Sequence, residues 1–401
     1  MMKTKRLKIG ADTERMLRLG HPWVIADKYT RQWPLCHNGE IAELGSPDDR
    51  PLATALIDPH SRIVARVLDR PGVRIDAHWL GRKFLQAMVL RKDHVDLAQT
   101  DTCRLVNAEG DYVPGLTVER YGDFLMAQLY TESWQPHIKM IAQALRQSFD
   151  CHGAYLKYRP QQTRKLEAQG GAGQLIEHLF GEEAPAELSV RENGLCYRID
   201  LDDGLHTGLF LDQRENRRDF MTRVRGKRVL NLFSYTGAFS VVAAVGGARQ
   251  VVSVDVSEKY LQRARANFTM NGITVADHQF ITADCLRALQ LMRQKGEQFD
   301  VILVDPPSFS TTKKGKFSTR GGTAELVTAA LGVLKPGGLL VTSSNHQKVT
   351  LDDYLKELRR GALAAETNLH VLEVRGQGPD FAAPVTFPEG RYLKYVLAVR
   401  D

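Results

Sequence analysis

Short apolar runs alternate with helical segments through the second half of this chain, and this alternation limits the available folds more than any other feature. The runs begin near residue 188 and read RVLNLF, QVVSVDV, HQFITAD, FDVILVD, GGLLVTSS, LHVLEVRG and YLKYVLAVR. Strands of a parallel sheet are buried on both faces, so they carry continuous apolar sequence. Residues 188–401 are therefore predicted to form an α/β domain, a doubly wound Rossmann-like parallel sheet with helices on both faces.

The first half of the chain is organised differently. At 401 residues the chain is too long for one ordinary hydrophobic core, which predicts two or three domains. Short strands and turns fill residues 1–72 and end at the boundary sequence DRPG, which indicates a small β-rich domain. Residues 73–187 combine helical segments with strands and a linker rich in Gly, Ala and Glu, which indicates a middle α+β domain.

Charge and cysteine content narrow the class of protein. The net charge is +7, which leans toward a polyanionic partner such as a nucleic acid. The five cysteines lie far apart and form no CxxC pair, which argues against a zinc site or a disulfide framework and for a reducing compartment. The chain has no apolar N-terminal leader and no apolar run of membrane-spanning length. We expect a cytoplasmic protein with no bound metal and no membrane segment.

The ends of the first three core strands predict a nucleoside cofactor. In a doubly wound sheet, ligands bind beyond the carboxyl ends of the strands. The first strand ends in SYTGAFS, where Gly237 brings the backbone close to a ligand, although an ordinary turn has the same sequence features. The second ends with Asp255, 18 residues after Gly237, where a carboxylate can accept both ribose hydroxyls. The third ends with Asp284, which can accept an amine such as adenine N6. A dehydrogenase with a nicotinamide cofactor would share the first two features.

The end of the fourth strand distinguishes a dehydrogenase from an enzyme that holds a nucleobase beside its nucleoside cofactor. This strand ends at Asp305 because the next two residues are prolines, which cannot donate to a sheet. A stiff loop of free carbonyls with an aromatic side chain suits a flat, polar nucleobase and has no evident use in hydride transfer. The residues predicted to hold the base and support catalysis are Asp305, Pro306, Pro307, Ser308, Phe309 and, after the fifth strand, Asn345.

Several motifs resemble those of a known enzyme family. VLNLFSYTGAFS, SVDVS, ADC, VDPPSF and LKPGG are similar to successive motifs of class I S-adenosylmethionine-dependent methyltransferases. GLHTGLFLDQRENR, FPEGRYLKY, GHPWVI and VPGLTVERYGDFL resemble the bacterial large-subunit (23S) ribosomal RNA methyltransferase I family across essentially the whole chain. The resemblance implies an N-terminal PUA domain, S-adenosyl-L-methionine as cofactor and ribosomal RNA as partner. The sequence does not fix the oligomeric state, for which a homodimer is one candidate.

The resemblance also assigns a set of cofactor residues. In that family the segment TGLFLDQR lies near the cofactor or supports its pocket, although FLDQRENRR also fits the start of a charged surface helix. The residues expected at the cofactor are Phe210, Asp212, Gln213, Arg214, Asn231, Phe233, Ser234, Tyr235, Thr236, Gly237, Asp255, Val256, Ser257, Asp284, Cys285 and Asp305.

One position departs from the family pattern. Methylating cytosine C5 requires a cysteine thiolate that adds to C6, and the family carries it after the fifth strand. The matching position here is Ser344, and a serine hydroxyl is a far weaker nucleophile; His346 nearby would act as its base or simply cap the loop. Cys285 is expected to be a packing residue. The target is therefore either a ring or exocyclic nitrogen, or cytosine C5 with a different cysteine as nucleophile.

Basic residues beside the predicted base pocket suggest contacts with RNA. The segment STTKKGKFSTRGG fits either a phosphate-binding loop or a solvated one, and Trp23 fits either RNA contact or a core position. About 185 residues of accessory domains argue against a small-molecule methyltransferase, and the intact adenosine motifs argue against a non-catalytic RNA-binding protein. The predicted RNA-binding residues are Lys313, Lys314, Lys316, Arg320 and Trp23.

Overall fold

The computed structural model describes residues 5–159, 176–203, 206–307, 309–312 and 315–401. By their contacts the residues form two compact units. The first comprises Met1–Val190, Ile199–Thr207 and Pro379–Gly390, and the second comprises Arg191–Arg198, Gly208–Gly378 and Arg391–Asp401. Within the described ranges, no helix is both long enough and apolar enough to cross a membrane.

The N-terminal part of the first unit is a small β-rich body, as predicted. Its elements are β1 (Arg6–Lys8), α1 (Ala11–Arg18), β2 (Trp23–Ile25), β3 (Ile41–Gly45), β4 (Pro51–Ile57) and β5 (Ile63–Asp69). The five strands form one sheet in the order β1-β3-β4-β5-β2. Apolar side chains from alternate positions, such as Leu7, Val24 and Leu44, form its core.

A second sheet in the same unit forms the predicted α+β part. Its elements are α2 (Ala77–His94), β6 (Thr102–Asn107), β7 (Leu116–Tyr121), β8 (Phe124–Leu129), α3 (Ile138–Ser148), β9 (Gly153–Tyr158) and β10 (Ile176–Gly181). The strand order is β10-β9-β8-β7-β6. Asp76 caps α2 by accepting from the Trp79 backbone N–H. Phe84 of α2 and Ile141 of α3 share one buried apolar cluster with the sheet residue Val118, so both helices are buried against it.

The predicted hairpin and the alternating strands and helices follow. The elements are β11 (Leu188–Glu192), β12 (Leu195–Ile199), α4 (Arg214–Met221), β13 (Arg228–Leu232), α5 (Ala238–Val245), β14 (Gln250–Asp255), α6 (Glu258–Met270), β15 (Gln279–Thr282), α7 (Cys285–Gln294), β16 (Phe299–Val304), β17 (Phe309–Thr312), β18 (Gly315–Ser318), α8 (Thr319–Leu331), β19 (Leu334–Ser344), α9 (Leu351–Ala364), β20 (Leu369–Arg375) and β21 (Lys394–Arg400). Short 3-10 turns lie at Thr30–Gln32, Ala108–Asp111, Glu132–His137, Leu211–Gln213, Val275–Asp277, Pro379–Phe381 and Pro388–Gly390.

The second unit is built on a seven-stranded sheet in the order β15-β14-β13-β16-β19-β21-β20. This confirms the predicted α/β fold class and the doubly wound arrangement. The sheet is not wholly parallel, because β21 pairs antiparallel with both β19 and β20. A parallel neighbour needs a long crossover, usually through a helix, whereas an antiparallel neighbour does not. The connection from β20 to β21 contains 3-10 turns and no α-helix, which accounts for the reversal.

Both faces of this sheet are buried, as the continuous apolar runs indicated. Leu230, Val252 and Ile302 belong to one apolar cluster, and their chain neighbours Val229 and Val251 belong to another. Because successive side chains of a strand point to opposite faces, each strand contributes to both clusters.

The strand register aligns the carboxyl ends of the core strands. Leu232 pairs with both Val254 and Val304, and Asp255 pairs with Thr282. The segments that follow β13, β14 and β16 therefore leave the sheet at one edge. The sequence analysis predicted the ligand-binding residues at this same edge.

Candidate functional site

A cavity of about 430 Å³, open to solvent, lies at this carboxyl edge in the second unit. Eight of the predicted cofactor residues line it: Phe210, Gln213, Asn231, Phe233, Ser234, Tyr235, Thr236 and Asp305. Sequence reasoning missed five more: Gly208, Arg217, Ala238, Phe239 and Leu303.

The turn after β13 has an unusual backbone. Phe233 and Tyr235 have positive φ angles of 58° and 50°, a region that side-chain-bearing residues rarely occupy. Gly237 has a φ of 76°, and a Cβ there would lie 2.7 Å from the Cβ of Ala264 on α6. Gly237 does not line the cavity; it lets the turn pack closely on α6. Strain of this kind concentrates at ligand-binding sites.

Ser234 carries a polar atom that suits a bound ligand. Its side chain is 5% exposed and lines the cavity. Among the described residues its hydroxyl oxygen has no hydrogen-bond partner. Buried polar atoms are nearly always paired, so an unpaired hydroxyl at a cavity wall fits a polar ligand.

Asp255 at the end of β14 fixes this turn. One carboxylate oxygen accepts the Tyr235 backbone N–H and the other accepts the Ser257 N–H, each at 2.9 Å. A carboxylate has about four acceptor sites, so capacity for two further hydroxyl donors remains. Val256 is 57% exposed, and the Ser257 hydroxyl caps α6 by accepting from the Tyr260 N–H at 3.4 Å.

Asp284 and Cys285 differ sharply in exposure. Asp284 is exposed, and its carboxylate caps α7 by accepting from the Arg287 N–H at 3.1 Å. Cys285 is 1% exposed, and burial raises the pKa of its thiol well above the ordinary value. A thiol in this environment stays protonated, which supports a packing role rather than nucleophilic catalysis.

Three side chains form a hydrogen-bonded group between the ends of β16 and β19. Ser343 donates to one oxygen of the Asp305 carboxylate at 2.7 Å. The side-chain amide of Gln213 donates to Ser343 at 2.8 Å and to the other Asp305 oxygen at 3.3 Å. Asn216 on α4 donates to the amide oxygen of Gln213 at 2.7 Å, which orients that amide. Sequence reasoning named Gln213 and Asp305 but missed Ser343.

Asp305 titrates close to neutral pH. Burial raises the pKa of its carboxyl to about 6, and the negative charge of Asp212 acts in the same direction. The hydrogen bonds from Ser343 and Gln213 and the charge of Arg217 lower this pKa without cancelling the effect of burial. At pH 7 the carboxylate is mostly ionised and can accept hydrogen bonds.

A buried ion pair supports one wall of the cavity. Arg217 and Glu192 are each 2% exposed and form two hydrogen bonds of 2.7 Å. Arg217 also donates to the backbone carbonyl of Phe210 at 2.8 Å. Burial alone would lower the pKa of Arg217, but the Glu192 charge and hydrogen bonds raise it above the ordinary value. The pair is bidentate and holds the backbone beside the exposed Phe210 ring.

Two other residues of the LDQR segment lie away from the cavity lining. Asp212 accepts from the hydroxyl of Tyr392 at 2.7 Å. Arg214 is 1% exposed and donates to Glu215 at 3.0 Å. Their positions correspond to support of the pocket rather than to its surface.

Aromatic rings gather beside the cavity. The Phe210 ring is 5.5 Å from the ring of Tyr235, which is 4.4 Å from that of Tyr260. Phe210 is 39% exposed. Exposed rings of this kind can stack on a flat heterocycle.

The predicted base-side residues are only partly described. Pro306 is buried and Pro307 is exposed. Ser308 lies outside the described residues, and of Phe309 only the backbone, in β17, is described. Asn345 is exposed after β19.

The geometry does not pair Ser344 with an imidazole base. Ser344 is 4% exposed, and its hydroxyl accepts the His346 backbone N–H at 3.4 Å. The Nδ1 atom of the His346 ring accepts the Lys348 N–H at 3.1 Å. The bond between Ser344 and His346 therefore runs through the backbone, which favours loop capping over activation of the hydroxyl.

The predicted RNA-binding residues remain predictions. Lys313 and Lys314 lie outside the described residues, and the side chains of Lys316 and Arg320 are not described. The backbone of this segment forms an antiparallel hairpin of β17 and β18, not the expected irregular loop. Trp23 is half-buried, donates from its indole N–H to Glu109 at 2.8 Å and lies 4.8 Å from the Phe387 ring. Within the described ranges, no group of three His, Cys, Asp or Glu side chains could hold a metal ion.

Comparison with known families gives two matches. Residues 104–390 match the family described as S-adenosylmethionine-dependent methyltransferase. Residues 7–70 match the family described as PUA-like domain. The first match spans more than half of the chain, and the second falls on the N-terminal sheet.

Individual relatives cover nearly the whole length. The chain is 33% identical over 391 residues to Ribosomal RNA large subunit methyltransferase I of Klebsiella pneumoniae, covering 97% of this chain and 96% of that protein. A protein of the same name from Vibrio cholerae is 33% identical over 384 residues, covering 95% and 96%. Among solved structures, the crystal structure of SMU.776 complexed with SAH has a TM-score of 0.89 and 30% identity, covering 99% of this chain and 100% of that one.

Proposed function

Because the chain belongs to the family of S-adenosylmethionine-dependent methyltransferases, we propose that it methylates a base of large-subunit ribosomal RNA. The substrate class comes from the names of relatives that match over 97% of the chain. One observation in the site carries the proposal. The turn at Tyr235, where we expect the cofactor, and the hydrogen-bond acceptor Asp305, where we expect the base, line the same cavity. S-Adenosylmethionine supplies an electrophilic methyl group on a sulfonium.

We assign the cofactor contacts to the edge formed by β13 and β14. Asp255 would accept the two ribose hydroxyls with its remaining lone pairs, and the unpaired Ser234 hydroxyl would bond a polar group of the ligand. Asp284 is exposed at the end of the neighbouring strand and would accept the adenine amine. The aromatic rings of Phe210 and Tyr235 support this assignment, since they offer faces to a heterocycle.

The target base would lie at the DPPSF segment. Asp305, held by Ser343 and Gln213, would accept from an exocyclic amine, and Phe309 would stack on the ring. Asn345 and the carbonyls of the two prolines would read the remaining edge of the base. Holding the base in line with the methyl group supplies most of the catalysis that a nitrogen nucleophile needs.

We favour nitrogen as the methylated atom. A nitrogen lone pair forms the new bond to the methyl carbon, the carbon–sulfur bond breaks with its electrons going to sulfur, and the nitrogen releases a proton. No thiol is required. The matched position is the buried Ser344, and the environment of Cys285 keeps its thiol protonated. The competing proposal is cytosine-5 methylation with another cysteine as nucleophile.

We also propose which regions hold the RNA, where in the cell the reaction takes place and how the protein assembles. The PUA-like domain and the segment with Lys313, Lys314, Lys316 and Arg320 would hold RNA, and Trp23 is a further candidate contact. For a bacterial ribosomal RNA substrate, the reaction takes place in the cytoplasm. A homodimer is a candidate assembly that sedimentation analysis would test.

The decisive experiment compares ribosomal RNA from a deletion strain with that of its parent. Mass spectrometry of the nucleosides, mapped to position, should reveal one methylated base that disappears in the deletion and returns with the purified protein and S-adenosylmethionine. Identical nucleosides in both strains would refute the proposed substrate. Binding of RNA without binding of S-adenosylmethionine would favour a non-catalytic RNA-binding protein.

A further inference from the structure

A buried lysine holds the loop that follows β19. Lys394 is 7% exposed and pairs in register with Ser344, the last residue of β19. Its ammonium group donates to the backbone carbonyls of His346 and Tyr392, each at 2.7 Å. Both acceptors are backbone atoms, so these bonds fix the path of the chain on two sides of the lysine.

Each of the two carbonyls is connected to Asp305 by a series of covalent and hydrogen bonds. In one series, Ser343 at the end of β19 donates to Asp305. In the other, the Tyr392 hydroxyl donates to Asp212, the residue before Gln213, and Gln213 donates to Asp305. The ammonium group of Lys394 connects the two series of contacts. Together the covalent and hydrogen bonds form a closed ring, and the loop that carries Asn345 is part of it.

Burying the Lys394 ammonium group costs desolvation free energy, and its two hydrogen bonds to backbone carbonyls are what the charged group adds. Burial lowers the pKa of Lys394 to about 8. Within the described part of the chain, Lys394 forms no ion pair with a carboxylate. An apolar side chain of similar length would avoid the desolvation cost. The ammonium group adds the two bonds to the loop and to the start of β21.

We propose that Lys394 is a positioning residue for the target base, holding the Asn345–His346 backbone where the base binds. This inference rests on the proposed base methylation and extends it to a residue outside the cavity lining. A displacement of about 1 Å at a reacting group can cost roughly a hundredfold in rate. Loss of the link therefore lowers turnover and leaves the cofactor contacts at β13 and β14 intact.

The test compares Lys394→Met, which removes the donors and keeps the chain length, with Lys348→Met, which removes an exposed cation from the same loop. Four quantities are measured besides the amide hydrogen exchange of residues 344–348. These are kcat, KM for RNA, the salt dependence of RNA binding and the affinity for S-adenosylmethionine. For Lys394→Met we expect faster exchange in the loop, kcat lower by about 10- to 100-fold and unchanged cofactor affinity. Lys348→Met should retain the exchange pattern and kcat. Lys394→Arg, which keeps the donors, should recover part of the lost rate.

Three results would overturn the inference. These are unchanged loop exchange in a folded Lys394→Met protein, an unchanged kcat, or a main effect on the salt dependence of RNA binding, which would make Lys394 a phosphate ligand. If Lys394→Met does not fold, Lys394→Gln, which is shorter and uncharged, takes its place, and loop exchange and kcat equal to those of the wild type would refute the inference. Failure of the proposed function is distinguishable, because a wild type that binds the cofactor but methylates no RNA still gives an exchange result.

Discussion

The hydroxyl of Ser343 donates to the carboxylate of Asp305 at 2.7 Å, which joins the end of β19 to the end of β16. Burial raises the pKa of Asp305 to about 6, and the bond from Ser343 lowers that pKa. A residue of the neighbouring strand therefore favours the charged form of the proposed base acceptor, against the effect of burial.

This relationship predicts the acid limb of the pH profile. A carboxyl group accepts hydrogen bonds through both oxygens only when ionised, so activity should be full well above pH 6 and fall as the pH drops through about 6. Ser343→Ala removes a bond that lowers the pKa of Asp305, so it should move this limb to higher pH. The measurement is kcat/KM between pH 5 and about 8.5. Asp305→Asn should lower activity strongly and remove the limb. An acid limb that persists unchanged in Asp305→Asn would assign it to another group.

The second prediction concerns Asp255. Asp255→Ala removes the proposed acceptor of the two ribose hydroxyls and the observed acceptor of the Tyr235 N–H, so S-adenosylmethionine binding should weaken by about 2 kcal/mol or more. Isothermal titration calorimetry measures this directly. Asp277→Ala, which removes an exposed carboxylate of the same unit, serves as the control and should bind normally. Equal affinity of Asp255→Ala and wild type would reject the assigned ribose contact.

A third prediction addresses the basic residues at 313–316. If Lys313, Lys314 and Lys316 neutralise phosphates, replacing all three by Ala should weaken RNA binding and flatten its logarithmic salt dependence by about 0.7–0.9 for each phosphate no longer neutralised. Affinity for S-adenosylmethionine should not change. Replacement of the exposed Lys227, Lys295 and Lys356 gives a charge-matched control. The same salt slope in both triple variants would assign the predicted residues to ordinary solvent exposure.

The fourth prediction distinguishes the two chemistries. RNA containing 5-fluorocytidine traps a cysteine adduct, because fluorine does not leave as a proton does. With Ser344 buried and the Cys285 thiol protonated, we expect no RNA-linked band on a denaturing gel. Cys285→Ala should give the same gel pattern as wild type. A band that disappears in one cysteine variant would restore cytosine-5 methylation.

Local sequence patterns predicted the sheet and its ligand edge well. Strands such as β13 and β16 are mostly apolar, and the segments after them carry Ser234 and Asp305, which line the cavity. Such features are local, because a strand end and the turn after it are neighbours in sequence. The antiparallel direction of β21 was missed, since an apolar run has no direction.

The residues that sequence reasoning missed depend on contacts between distant segments. Glu192 lies in β11 and Arg217 in α4, and only the fold makes them a buried pair. Arg217 and the buried Arg214 are three residues apart and share one face of α4, which is the one local signal that the RENRR run is not simply a solvated surface. Ser343 and Lys394 carry no such signal, because each becomes recognisable only through its partners across the sheet edge.

The position of β21 has a consequence for how the chain acquires this structure. β21 lies between β19 and β20, although it follows both along the chain. During synthesis the ribosome therefore releases two strands whose facing edges stay unpaired until β21 emerges. Unpaired edges are templates for association with other chains. Completion of the sheet thus depends on the segment that is translated after all of its other strands.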